Sequence, residues 1–95
     1  MLKVIIADDE ERVCRMLQIL PDWTALEMEV AATAANGIEA LQAIERDPPD
    51  ILITDIRMPG CDGLELIARA KQLAPEIEII IISGYAHFEY AQSAM

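Results

Sequence analysis

Four short apolar runs, each followed by a stretch of helical periodicity, constrain the fold of this chain more than any other feature. They are Lys3-Val4-Ile5-Ile6-Ala7, a weaker Ala- and Thr-rich segment from Glu27 to Ala34, Ile51-Leu52-Ile53-Thr54, and Ile77 to Ile82. Runs of this length, rich in β-branched residues and bounded by turn residues, suit strands buried on both faces, as in parallel sheets. The second run is the least apolar and belongs at a sheet edge. Between the runs, Val13, Met16, Leu17 and Leu20 recur at helical spacing until Pro21. Asp22-Trp23-Thr24 reads as a linker, with Trp23 as a core or staple residue. Asn36-Gly37-Ile38-Glu39 is a variant capping box, and Ile38, Leu41 and Ile44 form the stripe of the next helix before Pro48-Pro49. Asp62 and Glu65 repeat the capping pattern ahead of Leu66, Ile67, Ala70 and Leu73, and Pro75 closes that helix. Tyr85 to Met95 begins a fourth helical pattern.

Four successive βα units predict a three-layer α/β domain around a parallel sheet. Right-handed crossovers then place the C-terminal ends of all strands on one edge, where ligands bind in open α/β sheets. That edge would gather Asp8, Asp9, Asp55 and Ser83.

Ninety-five residues allow one domain with one core, built from aliphatic residues because aromatics make up only 4%. Seventeen acids against seven bases, a formal charge of −10, argue against direct nucleic-acid contact by this segment, which would need a basic surface. The same acidity suits a bound cation or a basic partner. Cys14 and Cys61 have no metal-type spacing and read as ordinary thiols of a reducing compartment. Met1 leads straight into a strand without a signal-like segment, and no apolar run approaches the length of a bilayer span, so a cytoplasmic location without membrane contact is expected.

Each residue of the edge also has an ordinary use. Asp8 and Asp9 suit a helix N-terminus, Asp55 a solvated loop, Ser83 a turn, and Asp62 a cap. His87, the only histidine, fits a helix surface, Met58 packs, and Pro59-Gly60 makes a turn. Convergence of three acids tips the balance. Two carboxylates about 5 Å apart repel by about 3 kcal/mol at an effective dielectric near 20. A hard divalent cation is the simplest neutraliser, and Mg²⁺ accepts a few carboxylates together with waters and a phosphate oxygen.

The acid pair in Ile5-Ile6-Ala7-Asp8-Asp9-Glu10, the segment Asp55-Ile56-Arg57-Met58-Pro59-Gly60-Cys61-Asp62-Gly63 and the Ile82-Ser83-Gly84 step occur in order, each at the end of its own run. Together they resemble the response-regulator receiver domain of two-component signalling. The tail Ser83-Gly84-Tyr85-Ala86-His87-Phe88-Glu89-Tyr90-Ala91 is similar to receivers joined to AraC-type helix-turn-helix outputs. The resemblance implies a flavodoxin-like (CheY-like) sheet of order 2-1-3-4. It implies that Asp55 is the phosphoacceptor for a sensor histidine kinase. Asp8, Asp9, Asp55 and the backbone carbonyl of Arg57 would hold Mg²⁺, and Ser83 would hydrogen-bond a phosphoryl oxygen beside Gly84. The partners implied are the sensor kinase and an attached DNA-binding output domain. The domain would signal by gaining and losing its own phosphoryl group rather than by turning over a substrate.

A receiver has five βα units, and residues 1–95 carry four, so the domain is expected to be incomplete at its C-terminus, before strand five. The Lys and the aromatic residue of the fifth strand have no counterpart here, and Lys3 and Lys71 lie in the wrong elements to replace them. Ile77 to Ile82 would then be an open apolar edge, and self-association through it, or through the face a fifth helix would cover, is expected. Two other functions compete. One is a Mg²⁺-dependent phosphohydrolase with an Asp nucleophile. Such enzymes related to haloacid dehalogenases usually carry a second Asp two residues on, where this chain has Arg57. The other is a receiver-like module that binds partners without being phosphorylated.

Overall fold

A computed structural model of the chain describes residues 1–56 and 63–82. In order these form β1 (Leu2–Ala7), α1 (Glu11–Ile19), β2 (Met28–Ala34), α2 (Gly37–Arg46), β3 (Ile51–Asp55), α3 (Gly63–Leu73) and β4 (Glu78–Ile82). The strands make one parallel sheet of order β2-β1-β3-β4, as expected, with β2 at an edge. The fourth helical pattern, from Tyr85, lies outside the described residues.

Alternation along the central strands sorts side chains to two faces with different tenants. Ile5, Ala7 and Leu52 join Ala40, Ala43 and Ile44 of α2 and Leu66 and Ala70 of α3 in one core cluster. Val4, Ile6 and Ile53 join Cys14 on the other face, with Leu17 and Trp23 packed alongside. The sheet is therefore the middle of three layers, with α1 on one side and α2 and α3 on the other. Its central strands are apolar in unbroken runs because both of their faces are covered.

Local signals place the helices. Asn36 caps α2 by accepting from the Glu39 amide at 2.8 Å. The Glu39 carboxylate reaches back to the amide of Ala35, at 2.8 Å, one residue earlier than a standard capping box. Trp23 is half-buried and its indole N–H donates to the Leu17 carbonyl at 3.0 Å, pinning the end of α1 to the turn that enters β2. That turn holds Glu27 at a φ of 59°, the left-handed region.

The helical stripes are narrower than the sequence pattern implies. Cys14 is buried, while Met16 and Leu20 are exposed, Leu20 to 74%. Cys14 lies one residue from Val13 and three from Leu17, which centres the inward face on the first half of α1, and Leu20 falls past the last helical residue. Ile38 is 54% exposed because it sits in the first turn of α2, where side chains tilt toward the N-terminus and away from the sheet beneath. Leu73, the final residue of α3, is also exposed. On their inner faces α2 and α3 bury the small residues Ala40, Ala43 and Ala70 beside Ile44 and Leu66.

At the N-terminal edge of the sheet, charged residues act structurally. Asp50 accepts from the Lys3 amide at 2.8 Å and its own amide donates to the Lys3 carbonyl at 2.9 Å. Lys3 pairs with Asp47 at 2.9 Å, and that hydrogen bond raises the lysine pKa. Lys71 donates its ammonium to the carbonyl of Ile77, tying the end of α3 to the start of β4.

Candidate functional site: an acid cluster at the C-terminal sheet edge

Two features of the sheet bring the distant acids together. In the β1–β3 ladder Ala7 is level with Thr54, so the next residues, Asp8 and Asp55, are level as well. Asp8 shares the parity of Ile6 and Asp55 that of Ile53, the residues facing α1, so both carboxylates project toward the same layer. Asp9 follows at the entrance to α1. Carboxylate oxygens of Asp8, Asp9 and Asp55 lie within 4.8 Å of one another. The first three of the expected site residues thus converge. Ser83 and Arg57 lie outside the described residues, as do Gly84 and Asp62.

Burial grades the cluster. Asp8 is only 5% exposed, Asp55 is half-buried and Asp9 is exposed. One oxygen of Asp8 accepts from the Glu10 amide at 2.8 Å, and the Asp8 amide extends the β1–β2 ladder to the Ala34 carbonyl at 3.0 Å. Burial pushes the Asp8 carboxyl above its ordinary pKa. The Glu10 hydrogen bond partly opposes this, and the negative charges of Asp55, Asp9 and Glu10 add to it. Asp55 accepts from the Ile56 amide at 2.7 Å through Oδ1. The acids are more than a helix cap: Glu10 is the N-cap of α1 and makes no side-chain capping bond, while Asp8 faces its two neighbours.

The donor set suits Mg²⁺. Oxygens bound to that ion at 2.0–2.1 Å lie about 3 Å apart at adjacent octahedral positions and about 4 Å apart at opposite ones. The mutual limit of 4.8 Å lies less than about 2 Å outside these spacings. All three ligands are hard oxygens, the type this ion selects. Three carboxylates leave half of an octahedron for water, a carbonyl or a phosphoryl oxygen.

Three neighbours of the cluster are absent from the residues that the sequence pattern singled out for it. Cys14 is buried behind Asp8, its thiol donating to the Asp8 carbonyl at 3.5 Å, and burial together with the Asp8 charge pushes its pKa up. It therefore remains a packed thiol rather than a nucleophile. Thr54 is fully buried, and its hydroxyl donates to the Asp55 carbonyl at 2.8 Å. Gly63 opens α3 directly against the backbone that follows Asp55, with its amide donating to the Ile56 carbonyl. A hydroxyl inside an otherwise apolar run was the one visible sign of Thr54. Gly63 closes the Asp55–Gly63 segment in the sequence, but its contact, with residues seven and eight positions away, has no local signal.

Known proteins resemble this chain over nearly its whole length. The family described as response regulator receiver domain matches residues 4–95. The transcriptional regulatory protein YesN of Bacillus subtilis is 40% identical over 95 residues, which cover 100% of this chain and 26% of YesN. The chain thus spans about a quarter of that relative's length. Among solved structures, the REC domain of AraT, a response regulator from Geobacillus stearothermophilus, superposes with a TM-score of 0.95 at 42% identity, over 98% of this chain and 72% of that one. A two-component transcriptional regulator AraC from Clostridium phytofermentans gives 0.90 at 37% identity, over 100% of this chain and 74% of that one. With the parallel 2-1-3-4 sheet and three converging aspartates already in place, these matches identify the chain as a member of the response-regulator receiver domain family, of the kind found in transcriptional regulators.

Proposed function

We propose that this receiver domain accepts a phosphoryl group on Asp55 from the phosphohistidine of a sensor kinase and passes the change to a DNA-binding output domain in the parent protein. The observation that carries this reading is the meeting of Asp8, Asp9 and Asp55 within 4.8 Å at the C-terminal end of a parallel sheet. Asp8, Asp9 and Asp55, with the Arg57 carbonyl, would hold Mg²⁺, which would supply the charge neutralisation that phosphoryl transfer chiefly demands. An Asp55 oxygen attacks phosphorus as the P–N bond to the kinase imidazole breaks, giving an acyl phosphate. Ser83 then hydrogen-bonds a phosphoryl oxygen. The chain functions in the cytoplasm as a signalling domain rather than as a turnover enzyme.

The outer edge of β4 supports self-association as part of the same reading. Among the described residues β4 is hydrogen-bonded to β3 alone, and Ile80 is 48% exposed. A monodisperse monomer in sedimentation at high concentration removes this element.

The principal test mixes the chain with Mg²⁺ and a small phosphodonor such as acetyl phosphate. The expected product is one base-labile adduct, located at Asp55 by mass spectrometry and absent from Asp55→Asn. Repeated turnover of unrelated phosphoesters would favour the phosphohydrolase. Absence of any adduct would favour the receiver-like module that binds partners without being phosphorylated.

A further inference from the structure

Thr54 is the one fully buried polar side chain among the described residues. Its partners in the ladders are Ala7 and Ile81, both apolar, and a valine of the same shape would suit a central strand equally well. The hydroxyl instead donates to the main-chain carbonyl of Asp55 at 2.8 Å. That carbonyl and the Ile56 N–H belong to one planar peptide unit, so orienting one end orients the other. The Ile56 N–H donates to Asp55 Oδ1 at 2.7 Å. The path from the Thr54 hydroxyl to the Asp55 carboxylate therefore contains two hydrogen bonds and one rigid plane.

Gly63 holds the same peptide from the side of α3. A Cβ there would collide with the Asp55 carbonyl oxygen and with the Ile56 backbone, and the Gly63 amide is bonded to the Ile56 carbonyl. The plane is confined between a buried hydroxyl and a helix N-terminus that only glycine lets this close.

We propose that Thr54 is a positioning residue for Asp55, its hydroxyl setting the peptide plane whose N–H holds the carboxylate toward Asp8 and Asp9. The consequence for phosphorylation rests on Asp55 being the phosphoacceptor; the positioning itself does not. Thr54→Val removes the hydroxyl and keeps the shape, whereas Thr54→Ser keeps the hydroxyl. In metal-free NMR, three-bond couplings should report a single Asp55 χ1 rotamer in the wild type and in T54S, and rotamer averaging in T54V. Mg²⁺ affinity should fall by about tenfold in T54V, the scale found for groups that orient metal ligands, and recover in T54S. The melting temperature of T54V should match or exceed the wild type, since valine favours a buried strand.

Wild-type Asp55 couplings in folded T54V overturn the proposal. Averaged couplings in T54V, in a wild type that binds no Mg²⁺, uphold it and refute the metal-site reading instead. If T54V does not fold, Thr54→Ala takes its place with the same criteria. If neither folds, Thr54 is structural, and the proposal fails.

Discussion

Replacing Asp8 with asparagine tests whether the acid cluster is strained without a cation. The carboxylate oxygens of Asp8, Asp9 and Asp55 lie within 4.8 Å of one another, and a pair of unit charges at that distance repels by about 3 kcal/mol at an effective dielectric near 20. Asp8 takes part in two such pairs. The one with exposed Asp9 is largely screened by solvent, so the repulsion relieved by neutralising Asp8 is about 1–3 kcal/mol. The side-chain amide introduced by Asp8→Asn keeps an oxygen for the Glu10 N–H and gains a donor for its acidic neighbours. A gain of about 1 kcal/mol raises the midpoint of a domain this size by about 4–8 °C. Thermal melts followed by circular dichroism in chelator-treated buffer at neutral pH should therefore show D8N melting above the wild type by at least about 4 °C. Added Mg²⁺ should reverse the order of benefit. At about ten times its dissociation constant it stabilises the wild type by about 1.4 kcal/mol through mass action, while D8N, lacking a ligand, gains much less. Were D8N to melt at or below the wild type without metal, or to respond equally to Mg²⁺, the electrostatic account of the cluster would be wrong.

Stability should also depend on pH with a definite sign. Burial raises the Asp8 pKa above 3.8, so between that value and the raised one the folded chain holds a proton that the unfolded chain has released. Metal-free stability therefore falls as pH rises through that window, and urea titrations should show a shallower fall in D8N. Glu27→Gly should stabilise the chain by about 0.5 kcal/mol, because glycine relieves a left-handed backbone that costs other residues about 1–2 kcal/mol and loses part of the gain to chain entropy; an unchanged or lower midpoint counts against strain at that turn. Asn36→Ala removes the oxygen that accepts the Glu39 amide and should cost about 1 kcal/mol in chemical denaturation, while Asn36→Asp should cost little. Equal losses in the two variants would show that the cap contributes nothing.

Much of this molecule was legible along the chain. The unbroken apolar runs of β1 and β3 announce strands covered on both faces, and the proline-bounded helical stripes between them announce crossovers. The gathering of strand C-termini, and with them Asp8, Asp9 and Asp55, at one edge follows once the strands are parallel and the crossovers right-handed, whereas strand order 2-1-3-4 came from the family resemblance. These features are local or topological, and a short window of residues carries each one. Depth within a helix stripe is different. Leu20, Ile38 and Leu73 match the helical period as well as Leu17 or Ile44 do, yet they fall at or beyond helix ends, and periodicity does not report where a helix overhangs its sheet.

What the amino-acid order settled by itself is which residue types stand at the ends of which strands, because pattern and topology act through nearest neighbours in sequence. The tertiary structure decided the rest of the site: that Asp8 is buried while Asp9 is exposed, that Cys14 lies behind the cluster, and that Thr54 and Gly63 grip the peptide following Asp55. Those relations depend on how α1 and α3 seat against the sheet, a matter of ångström-scale packing between segments far apart in the chain.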